Sequence, residues 1–175
     1  MIIYSSLPLF DVLLERAETD TPDGNWTKGL AMTMLQHYFP VADNWRTVYE
    51  LNSNHRTADF RILRLQRFRL DDRKMVNHTV ALAKKDGGDL DAALKQLEDA
   101  LERTNIESGR CWAMLFHGLD FLAYEYYEDL PENQRLIPTG PPSQPCRSRF
   151  DMRTDGLAVE EMLMHMRQHE APSPR

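Results

Sequence analysis

One amphipathic helix between two strand-like runs is the sequence feature that most constrains the fold. In "DLDAALKQLEDAL", residues 89–101, apolar residues recur at spacings of three and four, and Asp89 precedes them as a typical helix cap. The runs on either side, "MVNHTVALAKK" (75–85) and "RCWAMLFHG" (110–118), are rich in the β-branched, aromatic and apolar residues of strands. The chain therefore has to combine a sheet with helices.

The other elements are predicted from the same two periodicities. Helices are expected near Pro8, from Asn25 to the Phe39-Pro40 step, and after Asp155. Strands are expected in "TVYEL" (47–51), "DFRILRLQRFRL" (59–70) and "LDFLAYEYYED" (119–129). The predicted order is ααβββαββα, an α+β fold with a central mixed sheet of about five strands flanked by helices.

Length and proline content suggest the domain organisation. A chain of 175 residues with 42% hydrophobic residues is long enough for one domain with its own core, which we place at residues 1–169. Five prolines between Leu130 and Ser148 predict a surface loop over 130–148. The closing "EAPSPR", residues 170–175, is predicted to be a disordered tail.

The charge distribution argues against a generally basic nucleic-acid-binding protein but leaves a local basic patch open. The formal net charge is -6, which repels phosphate backbones on average. Residues 54–85 nevertheless hold nine basic and three acidic side chains, so these strands are a candidate nucleic-acid contact. The alternative is a solvated strand face beside acidic helices.

Cysteine content and the N-terminal segment predict an intracellular protein, cytoplasmic or nuclear. Cys111 and Cys146 are too few for a disulfide framework and lack metal-ligand spacing. The first 18 residues carry Asp11 and Glu15 within their apolar stretch and no Lys or Arg before it, a pattern that fits neither a signal peptide nor a membrane span. We therefore expect no membrane partner.

Four segments, in order, carry a resemblance to a known superfamily: "ADFRILRL", "VALAKK", "LKQLEDAL" and "CWAMLFHGLDFLAYEYYE". The chain resembles PD-(D/E)XK nuclease-like proteins over roughly residues 25–169, and more narrowly an uncharacterised, mostly fungal branch of them. The resemblance implies a restriction-endonuclease-like fold. In it a helix precedes three strands, an acid opens the second strand, Glu-x-Lys ends the third, and a helix bearing Gln-Leu and two further strands follow. Two carboxylates of such a site hold Mg²⁺, which activates water for phosphodiester hydrolysis.

Carried over by position, the resemblance identifies three candidate catalytic residues: Asp59 as the strand-opening acid, Lys84 as the lysine and Gln96 as the helix glutamine. The second acid falls at Leu82, or at Ala83 if Lys85 is the family lysine, and neither can bind a metal. Asp59 is then the one family-matched metal ligand, and alone it would hold a hydrated Mg²⁺ weakly. We therefore expect no cofactor, and Mg²⁺ only if the protein is still a nuclease.

Histidines and arginines near these strands complete the candidate site. His55 and His78 flank the strands and are the histidines we would assign to acid-base work. Arg64 and Arg67 are the expected ligand contacts within the basic strands. His117, beside a glycine at a strand end, is either a satisfied structural histidine or a base or donor in a cleft.

These observations leave two classes of function. The first is a binding or interaction module that has lost metal-dependent hydrolysis, with a protein, a small molecule or a second copy of the chain as its partner. The second is a divergent enzyme. It is either a Mg²⁺-dependent nuclease with a substitute acid such as Asp86, or an enzyme that uses Lys84 and a nearby histidine for metal-free small-molecule chemistry.

Overall fold

The computed structural model describes residues 4–19, 25–50, 59–69 and 72–174. Its helices are α1 (Pro8–Glu18), α2 (Asn25–Tyr38), α3 (Leu90–Arg103) and α4 (Gly156–Gln168). Its strands are β1 (Trp45–Tyr49), β2 (Phe60–Arg69), β3 (Asp72–Lys84), β4 (Arg110–His117), β5 (Asp120–Tyr127), β6 (Leu136–Pro138) and β7 (Arg149–Asp151). The predicted α+β class is confirmed, and the sheet has seven strands within these ranges rather than about five.

The sheet is mixed, with one parallel pair at its centre. The strand order is β1-β2-β3-β4-β5-β6, and β7 also pairs with β5. All pairs are antiparallel except β3 with β4, because α3 carries the chain back to the other end of the sheet before β4 begins. The carboxyl ends of β3 and β4 therefore lie side by side, and Lys84 is in register with His117.

The central strands are buried on both faces of the sheet. Helices α1, α2 and α4 pack on one face, where Ala81 and Ala83 of β3 join their core. Helix α3 packs on the other face, against Val80 and Leu82 of the same strand. The alternation follows from the two-residue period of a strand, and it places Leu82 and Lys84 on the face that α3 covers.

Helix α3 begins where its sequence predicts. The Asp89 side chain accepts hydrogen bonds from the backbone nitrogens of Asp91 at 3.0 Å and Ala92 at 3.3 Å, the expected bonds of an N-cap. Before this cap, Gly87 has a positive φ of 73°, which lets the chain turn from β3 into the helix. None of the helices in the described ranges is long and apolar enough to cross a membrane.

The segment over 130–148 differs from the predicted surface loop. Residues 136–138 form β6 at the edge of the sheet, where a proline is tolerated because one side of the strand needs no hydrogen-bond donor. Gly140 is buried, and a Cβ there would lie 2.1 Å from the carbonyl oxygen of Arg147. The chain therefore folds back tightly on itself within this segment.

Residues 170–174 also differ from the predicted disordered tail. Arg110 Nη1 donates to the Pro172 carbonyl oxygen at 2.7 Å, and the Tyr127 hydroxyl lies 2.9 Å from the carbonyl oxygen of Ser173. Pro172 is buried. Side chains of β4 and β5 thus hold the tail against the sheet, and composition alone does not reveal these long-range contacts.

Candidate functional site

Asp59 lies immediately before β2 and is almost fully buried, with 3% of its surface exposed. Its Oδ1 is 3.2 Å from Nζ of Lys28, which α2 supplies. Its Oδ2 accepts a hydrogen bond of 2.9 Å from the backbone nitrogen of Ala83 on β3. Both carboxylate oxygens are therefore engaged inside the protein, and the charge has a lysine partner.

Lys84 is the last residue of β3 and is half-buried. Burial lowers the pKa of its ammonium below the usual range, the nearby Asp59 carboxylate opposes that shift, and Lys28 adds to it. Within the part of the chain that the structure describes, no carboxylate oxygen lies within salt-bridge distance of Lys84. The Lys84 ammonium is thus near Asp59 but does not form an ion pair with it. The ion-pair partner of Asp59 is Lys28.

Leu82 is the residue at which the resemblance puts the second acid. Its side chain is fully buried and belongs to the core beneath α3, together with Val80, Leu97 and Leu115. Ala83, the other candidate position, is also fully buried, in the core of the opposite face. No group of three or more His, Cys, Asp or Glu side chains that could hold a metal occurs among the described residues.

A cleft of about 290 Å³ lies at the carboxyl ends of β3 and β4, beside the first turns of α3. Its polar lining consists of Lys84, Lys85, Asp89, Gln96 and His117. The structure therefore brings two of the three family-matched residues together. The third, Asp59, is not among the residues that line the cleft.

His117 is the residue of this cleft for which the sequence left two alternatives. It is 7% exposed, and its Nε2 is buried without a hydrogen-bond partner. It is therefore not the satisfied structural histidine of the first alternative. His117 lies beside Lys84 because β3 and β4 pair in parallel. A local sequence pattern does not reveal that pairing, so sequence reasoning could not bring the two residues together.

His78, by contrast, is a core residue rather than part of an acid-base site. Its side chain is 2% exposed, with Nδ1 at 2.7 Å from Thr79 Oγ1 and Nε2 at 2.9 Å from the His169 carbonyl oxygen. Burial lowers the pKa of His78 to about 4, although the backbone hydrogen bonds oppose the shift. The Trp45 ring packs against the imidazole edge-on, with centroids 4.7 Å apart.

Some basic side chains of these strands pair with acids from other parts of the chain. Three pairs are described: Arg61–Glu50, Lys74–Glu107 and, at 3.9 Å, Arg64–Glu170. The Arg64 guanidinium also lies 5.1 Å from the centre of the Trp45 ring, a cation–π contact. The side chain of Arg67 and the whole of His55 lie outside the described residues.

Comparison with protein-family models, with curated proteins and with solved structures finds no match for this chain.

Proposed function

We propose that this protein is a catalytically degenerate PD-(D/E)XK-like protein that binds a ligand or partner without hydrolysing phosphodiesters. One observation carries the proposal: both oxygens of Asp59 are engaged, one by Lys28 at 3.2 Å and one by the Ala83 amide at 2.9 Å. Mg²⁺ requires a near-octahedral set of oxygen ligands and gives up its water reluctantly. A single carboxylate that is already paired internally offers little to compete with that water.

The positions of the matched residues support the nuclease-like part of the proposal. Helix α2 precedes β1, β2 and β3, Asp59 directly precedes β2, Lys84 ends β3, and α3 carries Gln96. Strand β4 then pairs with β3, and β5 follows. This order agrees with the arrangement that the resemblance implies.

The packing of Leu82 supports the loss of hydrolysis. An ionised glutamate there would be surrounded by apolar side chains beneath α3, and burying an unpaired carboxylate costs several kcal/mol. Leu82 is thus packed into the core. Its position is not an open metal site in which only the acid has been replaced.

The nuclease alternative needs a substitute acid, and Asp86 is poorly placed for that role. Its Oδ1 accepts a hydrogen bond of 2.8 Å from the Gly87 nitrogen, and its side chain lines a different cavity, with Asp120 and Asp151. Asp86 does not converge with Asp59 on one metal position among the described residues. Binding without hydrolysis is therefore the better-supported function.

A plasmid-nicking assay with Mg²⁺ and Mn²⁺ tests the proposal on wild type and Asp59→Asn. The asparagine keeps an oxygen that can accept from the Ala83 amide but removes the charge. We expect both proteins to nick supercoiled DNA no faster than buffer. Metal-dependent nicking by wild type that disappears in Asp59→Asn would show a working nuclease.

Restoring the missing acid provides a second arm of the assay. Leu82→Glu is compared with Leu82→Met, a matched control that keeps the apolar core, and circular dichroism establishes that each is folded. Nicking or Mn²⁺ binding gained by Leu82→Glu alone would identify the start of β2 and the end of β3 as a former nuclease site.

A further inference from the structure

We propose that the cleft at the ends of β3 and β4 binds the oxyanion group of a small molecule, a carboxylate or a phosphate, through Lys84, Lys85 and His117. The inference rests on the proposed function as a binding protein and names the class of ligand. The chemistry requires no metal, and its central residue, His117, is not part of the family motif described above.

The first supporting observation is the unbonded nitrogen of His117. Nε2 is buried, has no hydrogen-bond partner among the described residues, and lies in a side chain that lines the cleft. Leaving a buried polar group unpaired costs about 1–3 kcal/mol, so such atoms are uncommon in native proteins. When Nε2 carries a hydrogen it is a donor, and a ligand oxygen is the partner that it lacks.

The second supporting observation is the positive charge at the cleft. Lys84 and Lys85 both line the cleft, and neither makes a salt bridge with a carboxylate of the described chain. The one acid in the lining is Asp89, whose Oδ1 is already bonded to two backbone nitrogens of α3. The 14-residue helix α3 also directs the positive end of its dipole toward this region. The cleft is thus cationic in a protein whose net charge is -6.

Size and surroundings favour a small molecule over a nucleic acid. The volume of about 290 Å³ is near the lower end of the range for small-molecule pockets. Ala92 and Ala93 of α3 form part of the wall and leave room for a compact ligand. A nucleic acid needs a continuous basic track, whereas Arg61 and Lys74 on the neighbouring strands are paired with acids.

An NMR titration of the full chain tests the inference with two probes, inorganic phosphate and malonate, and sodium chloride at matched ionic strength is the control. We expect saturable shifts of the His117 imidazole and Lys84 side-chain resonances, with a Kd on the order of 1–10 mM for such fragments. The probe that binds more tightly identifies the oxyanion as phosphate or carboxylate.

Three variants locate the binding. Lys84→Met and His117→Leu should each weaken it at least about fivefold, a loss of roughly 1 kcal/mol. Lys95→Met is the matched control, because Lys95 lies on α3, which forms one wall of the cleft, but pairs with Asp99 at 3.1 Å outside it. The affinity of Lys95→Met for each probe should equal that of wild type.

Three results would overturn the inference. They are no saturable shift above the chloride control, binding by Lys84→Met and His117→Leu as tight as that of wild type, or binding of a single-stranded oligonucleotide where neither small probe binds. The nicking assay keeps this failure separate from that of the proposed function. If neither phosphate nor malonate binds and no nicking is seen, only the proposed ligand class is wrong. Metal-dependent nicking would instead contradict the proposed function itself.

Discussion

Asp59 and His117 are polar side chains at the ends of strands β2 and β4, which lie on either side of β3, yet their surroundings are opposite. Asp59 is 3% exposed with both oxygens bonded, and His117 is 7% exposed with Nε2 unbonded. A buried group that is fully bonded stabilises the native state, whereas an unbonded one destabilises it. Asp59 therefore has the character of a structural anchor, and His117 that of a group kept for a ligand.

Removing the anchor should have the largest effect. Asp59→Ala leaves Lys28 without its partner and the Ala83 amide without its acceptor, so we expect the free energy of unfolding to fall by about 3 kcal/mol. Urea denaturation measures this loss. The matched control is Asp43→Ala, which breaks an exposed pair with Arg167 and should cost less than about 1 kcal/mol. Equal small losses would show that Asp59 is not an anchor.

His78 extends the comparison to a bonded histidine and predicts a pH dependence. Its folded pKa is about 4 and its ordinary value is 6.5, so the unfolded chain binds the extra proton between those pH values. Stability is full above pH 6.5 and falls as the pH decreases toward 4, by an amount on the order of 3 kcal/mol.

The measurement for His78 is urea denaturation at several pH values on wild type and His78→Gln. Because carboxylates also titrate, only the difference between the two proteins reports on His78. The loss between pH 6.5 and 4 should be smaller in the variant. Identical pH profiles would mean that the His78 imidazole is not held neutral in the folded protein.

Replacing the unbonded histidine should have the smallest effect and the opposite direction. His117→Leu removes the unpaired Nε2, so the free energy of unfolding should stay the same or rise by up to about 1 kcal/mol. The matched variant His78→Leu removes the partner of Thr79 Oγ1 and one of the two donors to the His169 carbonyl oxygen, the other being Trp112 Nε1, and should lose about 2 kcal/mol. If His117→Leu lowered the free energy of unfolding as much as His78→Leu does, the unbonded and the bonded histidine would not differ as proposed.

Features that depend on local periodicity were predictable. The apolar spacing and Asp89 predicted α3, and the structure shows that helix with Asp89 as its N-cap. That the cleft brings Lys84 and Gln96 together is seen only in the structure.

Features that depend on long-range pairing were not predictable. Lys28 and Asp59 are brought together by the packing of α2 against the sheet, and His117 reaches Lys84 through the register of β3 with β4. The same holds for the tail, where Pro172 meets Arg110 across 62 positions of the chain. Residue patterns within one segment carry no information about which distant segment it will contact.

Calorimetric titration of wild type with Mn²⁺ tests most directly whether Asp59 takes part in binding a catalytic metal. The internal pairing of Asp59 predicts no saturable heat up to about 1 mM Mn²⁺, with the same trace from Asp59→Asn. One-to-one binding by wild type that Asp59→Asn abolishes would contradict that prediction, because it would mean that Mn²⁺ displaces Lys28 and that an acid elsewhere completes the site.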